Sequence, residues 1–356
     1  MNINLDDIQR FSALDPEDML GHINALADQL ADAWQFALAQ PLPDSFRDVR
    51  AIVIAGMGGS AIGADYLAAL VAGSSPIPVI VNRHYDLPAF VSGPETLVIA
   101  SSHSGDTEET LSAFAQAGER GTQRMAITTG GQLAAQAAEA GVTCWQFTYN
   151  SQPRAAFGWS FGLLVGLAHR LGLAGDLSAD VEEAVDVLRR WREFFRADSP
   201  TYENPAKRMA GQICERIGAF YGSGIMAPVA RRWKGQLNEN AKNWSEFDVL
   251  PEQNHNGIAG TEFPRAAIEK LYCVFLQSSH DHPRVALRYD LSFKRFLEEG
   301  VMVDRVKARG RSRLAQMMNV TQFGDYVSYY LAMVNEVNPT PIPQIAALKE
   351  GLAQAE

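Results

Sequence analysis

Apolar positions in the first half of the chain alternate between short runs and longer stretches of helical period. Residues 51–55, 78–82, 96–101, 124–128 and 143–148 have the length and composition of strands. Helical stretches open near Ser60, Thr107 and Gln132. Strands separated by helices in this way predict a parallel sheet covered on both faces. Upstream, Leu20, Ile23, Leu26, Leu30 and Trp34 fall on one face of a helix predicted over 15–40, with Asp15 as its N-cap and Pro16 at its first position. Residues 156–198 predict two helices, the second (179–197) heavily charged. Beyond the connector TYENPAKRMAGQ the rhythm restarts. GAFYGSGIMAPVARRWKGQLNENAK reads as strand, G-S-G turn and long helix. Further strands are predicted at 271–279 and 302–308, and helices at 325–337 and 341–354. The fold class is α/β, with two similar units in tandem, each a parallel sheet flanked by helices. The predicted organisation is an N-terminal helical segment packing on the core (1–49), a first unit (50–200) and a second (201–356).

Composition narrows the setting. Hydrophobic content of 47% and charged content of 20% fit a globular protein. No apolar run approaches the roughly 20 residues that span a membrane. The acidic N-terminus lacks the basic and apolar regions of a signal peptide. The three cysteines, Cys144, Cys214 and Cys273, are far apart and sit in apolar stretches, which predicts buried free thiols and a cytoplasmic location. A net charge of −10 argues against nucleic acid as a partner, so an anionic substrate would have to be held by local groups.

Two loops carry the candidate chemistry. AIVIAGMGGSAIGAD (51–65) and LVIASSHSGDTEETL (97–111) each run from a strand through glycine and hydroxyl residues into a helix. Backbone N–H groups and hydroxyls at a helix N-terminus bind anions, most often phosphate. The candidates are Gly59, Ser60, Ser102, Ser104 and Thr107. Thr107 is placed to cap its helix, and Asp106 is expected to point away from an anion. The first loop also fits the dinucleotide pattern G-x-G-x-x-A. However, the second strand ends in Asn82-Arg83, without the acidic residue that would hold a ribose, and the second hydroxyl-rich loop would have no role. Arg83 could suit a 2′-phosphate, so an NADP-binding oxidoreductase stays in view.

G-G-S-x-x-G followed by S-x-S-G-x-T resembles the sugar isomerase (SIS) domain. The segments GMGGSAIGAD, SHSGDTEETL, QPRAAFG, LNENAKNWSEFD, EQNHNG and NPTPIPQIAALKEGL, in that order, resemble the bifunctional phosphoglucose/phosphomannose isomerase family. Departures are confined to small or loop positions: Ala61, Ala64, His103 and Asp106. The resemblance implies two SIS-type domains, with a C-terminal helix returning to the active site. It also implies isomerisation of glucose 6-phosphate, and of mannose 6-phosphate, with fructose 6-phosphate through a cis-enediolate. No cofactor is called for, and no strong metal-ligand spacing occurs.

Such chemistry needs a base over C1 and C2, a ring-opening group and a cation near the developing oxyanion. The resemblance assigns the base to Glu239, with Glu246 the weaker candidate. His255 is assigned to ring opening, donated across a homodimer interface. Arg154 is assigned to the enediolate and Lys349 to assisting ring opening. His280 and His282, although they look like a metal pair, are read as surface residues. The competing reading is a non-catalytic sugar-phosphate-binding regulator on the same domain, but no helix-turn-helix occurs in residues 1–49.

Overall fold

The computed structural model describes residues 4–354. β1 (Ala51–Ala55), β2 (Val79–Asn82), β3 (Thr96–Ser102), β4 (Gln123–Thr128) and β5 (Thr143–Gln146) form a parallel sheet in the order β2-β1-β3-β4-β5. β3 is buried along its whole length, as a central strand covered on both faces must be. The second sheet, β6 (Ile217–Gly222), β7 (Ser245–Val249), β8 (Leu271–Gln277) and β9 (Met302–Lys307), is also parallel, in the order β7-β6-β8-β9. Its order repeats β2-β1-β3-β4, and among the described residues nothing corresponds to β5.

Helix Arg313–Val334 is the pillar between the halves. Every residue from Leu314 to Met333 is buried, and the helix packs against helices Ser178–Phe195, Pro205–Ile213 and Ala227–Asn240. Only its second half was predicted, because Gln316, Thr321 and Gln322 look like surface residues. Each is buried with a partner instead. Gln316 Nε2 donates to Gly310 O at 3.0 Å, Thr321 Oγ1 to Met317 O at 2.8 Å and Gln322 Nε2 to Leu188 O at 3.0 Å.

Other elements also depart from expectation. The predicted 15–40 helix is two helices, Met19–Asn24 and Leu26–Ala39, parted at Ala25. Asp18 is the N-cap. Asp15 stands outside the helix, where its carboxylate accepts the N–H groups of Met19 at 2.8 Å and Leu20 at 3.0 Å. β7 went unpredicted because it is an edge strand in which Glu246 and Asp248 interrupt the apolar run. Helix Pro283–Glu298, with only Tyr289, Ser292 and Phe296 buried, also lacked a clear apolar stripe. The thiols are free, but only Cys273 is buried; Cys144 and Cys214 are partly exposed.

Candidate active site

In the first sheet the chain crosses from β1 to β2 on one side and continues into β3 on the other. This leaves a crevice at the carboxyl ends of β1 and β3, where open α/β sheets bind ligands. Both hydroxyl loops lie there. Ser60 joins them, its Oγ accepting the His103 N–H at 3.1 Å. Ser102 Oγ lies 2.9 Å from Thr107 Oγ1 and accepts the Gly105 N–H at 3.1 Å. Ser104 Oγ accepts the Asp106 N–H at 3.2 Å. Gly105 has a φ of +77°, and a Cβ there would lie 1.8 Å from Gly130 O, so only glycine fits. Asp106 turns to the next helix, accepting the Gln132 N–H at 3.0 Å. Thr107 occupies the N-cap position of helix Glu108–Glu119, but its hydroxyl goes to Ser102 rather than capping the helix. Burial lowers the His103 pKa, which favours its neutral form.

Helix Ala227–Asn240 brings the second half of the chain to the first loop. Between them is a cavity of about 330 Å³, walled by Met57, Gly58 and Gly59 on one side and by this helix on the other. Arg83, Arg154, Arg231, Arg232 and Lys234 line it with Glu239. Glu239 is partly buried, its side chain 32% exposed, and stands 3.5 Å from Arg154 Nη1.

Arg154, 4% exposed, is held on three sides. Nε donates to Asn240 Oδ1 at 2.7 Å, and Nη2 donates to the carbonyls of Pro339 and Thr340 at 2.7 Å each. Burial lowers its pKa, Glu239 opposes that, and the neighbouring Arg232 adds to it. Its turn, Pro153–Ala156, lies so close to the first loop that a Cβ on Gly59 would come within 2.8 Å of the Pro153 carbonyl carbon. The glycine therefore makes room for the chain itself.

Several residues that build this site escaped the sequence reading. Arg232 Nη2 donates to Asp325 Oδ2 at 2.8 Å and to Arg154 O at 3.1 Å. Gln236 Nε2 donates to Asp325 Oδ1 at 2.9 Å, and Asn240 Nδ2 to Ser328 Oγ at 3.0 Å. Positions 232, 236 and 240 are one face of a helix, so this polar stripe could have been found by its period. Lys242 Nζ donates to Glu239 O at 2.7 Å and Asn338 O at 2.8 Å. Burial, with Arg154 nearby, pushes its pKa down to about 8. Arg83 and Arg231 both pair with Asp65, the latter at 3.3 Å, so Arg83 is already engaged.

Of the nine expected site residues only Gly59, Arg154 and Glu239 line this cavity; Ser60, Ser102, Ser104 and Thr107 lie in the two loops described above, and His255 and Lys349 stand apart. His255 is exposed on the turn Glu252–His255, and Lys349 is exposed on helix Pro343–Gln354, in which no residue is buried. Neither lines the cavity between Arg154 and Glu239. Glu246 is exposed on β7. His280 Nε2 meets Arg311 O at 2.8 Å, while His282 Nδ1 caps the following helix by accepting the Arg284 N–H at 3.1 Å. Among the described residues no group of three His, Cys, Asp or Glu side chains could hold a metal. No described helix is long and apolar enough to cross a membrane.

Comparisons with known proteins agree with this architecture. A family model for the SIS domain matches residues 45–143, and one for the bacterial phospho-glucose isomerase C-terminal SIS domain matches residues 202–352. A bifunctional phosphoglucose/phosphomannose isomerase of Caldicellulosiruptor bescii is 41% identical over 94% of this chain and 99% of its own. One from Aquifex aeolicus is 33% identical over 85% of this chain and 90% of its own. Among solved structures, a glucose-6-phosphate isomerase like protein from Thermus thermophilus shares the fold. Its TM-score is 0.62 at 19% identity, covering 98% of this chain and 99% of that one.

Proposed function

The chain belongs to the bifunctional phosphoglucose/phosphomannose isomerase family, and we propose that it interconverts glucose 6-phosphate and mannose 6-phosphate with fructose 6-phosphate. The observation that carries this reading is the meeting of Glu239 and Arg154, from opposite halves of the chain, 3.5 Å apart at a cation-lined cavity walled on one side by the first of the two glycine- and hydroxyl-rich loops. Glu239 is the base that moves a proton between C1 and C2 of a cis-enediolate. Arg154 Nη1, the one nitrogen of its fork not tied to Asn240 or the 339–340 carbonyls, stabilises the developing oxyanion. Gly59, Ser60, Ser102, Ser104 and Thr107 hold the phosphate, with the lining cations raising the local potential. The two reactions share the enediolate and differ in the face of C2 that is protonated.

His255 opens the sugar ring, donated by the second subunit of a homodimer, and Lys349 assists it. Unpartnered apolar side chains support the dimer. Phe263 is 79% exposed, and Ile345, Leu348 and Leu352 recur on one face of the terminal helix at 43%, 64% and 51% exposure.

Incubation with fructose 6-phosphate in excess EDTA, read by carbon NMR, should yield glucose and mannose 6-phosphates, and Glu239→Gln should abolish both. Binding without turnover would favour a regulator. The shared site has its own test. Mixed Glu239→Gln and His255→Ala chains, each inactive alone, should recover about a quarter of wild-type activity, because each heterodimer assembles one complete site. No recovery would place the imidazole on the same chain as its base.

A further inference from the structure

The second sheet lacks the strand that β5 supplies to the first, so β9 is its outer strand. All six β9 residues line a cavity of about 570 Å³, larger than the one beside Glu239 and sharing no lining residue with it. A volume of this size suits a small organic molecule. Trp191, Phe195 and Phe323, from helices Ser178–Phe195 and Arg313–Val334, give it an apolar wall.

The charged groups around that wall are mostly cationic, Arg208, Arg305, Lys307 and Arg309 against Asp304. The Arg309 guanidinium lies 5.3 Å from the Trp191 ring centroid. Arg309, Arg208 and Lys307 are exposed, and among the described residues none has a carboxylate partner. The single acid in the wall, Asp304, is engaged by the Tyr272 hydroxyl at 2.9 Å, and Arg305 pairs with Asp290 at 2.6 Å. Asn319, 4% exposed, also lines the cavity. Its Oδ1 accepts the Arg309 N–H at 3.0 Å, while its Nδ2 has no hydrogen-bond partner. A buried donor left unmade costs about 1–3 kcal/mol.

Cations without carboxylate partners, collected at one cavity with an aromatic wall in a chain of net charge −10, favour an anion, although Arg208 Nη1 also donates to Tyr202 O at 2.6 Å. The aromatic wall favours a flat body, and the orphan amide favours an acceptor atom on it. The charges on Asp304, Arg305 and Lys307 oppose addition of another strand to the β9 edge. We propose that this cavity is a second ligand site, which takes an organic anion with a flat, largely apolar ring body, such as an aryl or heteroaryl carboxylate, sulfonate or phosphate.

The test titrates the full chain with 8-anilino-1-naphthalenesulfonate and, in parallel, with the neutral N-phenyl-1-naphthylamine. Saturable one-site binding of the sulfonate is expected. It should weaken about tenfold or more in Arg208→Glu/Arg309→Glu, since charge-assisted contacts of this kind are worth more than a decade of affinity. Arg284→Glu, outside the cavity wall, should leave binding unchanged. Both reversed side chains are exposed, and thermal melting verifies that the double variant folds. Absence of saturable binding overturns the proposal, as does equal binding to the double variant or equal affinity for the neutral naphthylamine. Loss of binding as protein concentration rises, which would mark the cavity as a contact between chains, also overturns it.

Discussion

Gly59→Ala separates two reasons for a glycine in the first loop. Gly59 lies in the first turn of helix Gly58–Val71 with an ordinary negative φ, so alanine is conformationally allowed. Local propensity alone predicts that it stabilises the helix by up to about 1 kcal/mol. The packing predicts the opposite sign. The added methyl would lie 2.8 Å from Pro153 C, 2.9 Å from Pro153 O and 3.0 Å from Arg154 N, all backbone atoms that cannot swing aside. Overpacking of this kind costs about 1–3 kcal/mol. Net destabilisation of about 1–2 kcal/mol follows, a melting temperature lower by roughly 2–8 °C for halves of this size. The methyl displaces the turn that carries Arg154, so kcat should fall while KM for fructose 6-phosphate changes less. If the glycine served mainly to admit the phosphate, KM would rise instead. Calorimetry with steady-state kinetics decides the matter. An alanine variant that melts at or above the wild-type temperature with unchanged kcat refutes the reasoning.

Asp325→Asn leaves Arg232 buried without its counter-charge and should cost about 3–5 kcal/mol, read as a loss of roughly ten degrees in melting temperature; a wild-type melt would show that the pair carries no stability. Truncation after Leu348 removes Lys349 and the exposed end of the terminal helix, so each chain should keep its secondary structure by circular dichroism yet lose isomerase activity; retained activity would remove Lys349 from the mechanism. Asp281 has its pKa raised to about 6 by burial, against the Ser278 N–H and His280. Its folded pKa lies above its unfolded value, so the stability it contributes is complete at low pH and is lost as pH rises through about 6. Asp281→Asn keeps an acceptor for Ser278 and should be more stable than wild type at pH 7 by about 1 kcal/mol after allowance for solvent screening. Chemical denaturation at pH 7 and pH 4 checks this, since the gain should vanish at the lower pH.

The five strands of the first sheet were legible because each carries a short apolar or β-prone run, buried almost throughout in β1 and β3 and only in part in the edge strands β2 and β5. β7 was not, because an edge strand tolerates Glu246 and Asp248 on sides that face solvent. The first half of helix Arg313–Val334 was hidden for a different reason. Its buried Gln316, Thr321 and Gln322 find partners such as Ser279, Met317 and Leu188, distant in sequence or one turn away, and no local pattern announces them. The same limit applies at the candidate site. The position of Arg154 after the last strand of the first sheet could be read from order alone. Its anchoring to Asn240, Pro339 and Thr340 joins segments up to 186 residues apart and appears only in the fold.

That anchoring also ties the start of the tail to the candidate site, although none of its helix is buried. Arg154 donates to the carbonyls of Pro339 and Thr340, and Lys242 donates to the carbonyl of Asn338. Two cations thus grip one three-residue strap, and the strap launches helix Pro343–Gln354. The strap's carbonyls cannot turn elsewhere without leaving Nη2 of a buried guanidinium without an acceptor, a costlier fault than any the exposed helix could repair. The departure point of the tail is therefore set by the same arginine that faces Glu239. Loss of Arg154 should free the tail as well as the site, and the two effects should appear together in hydrogen exchange across 338–354.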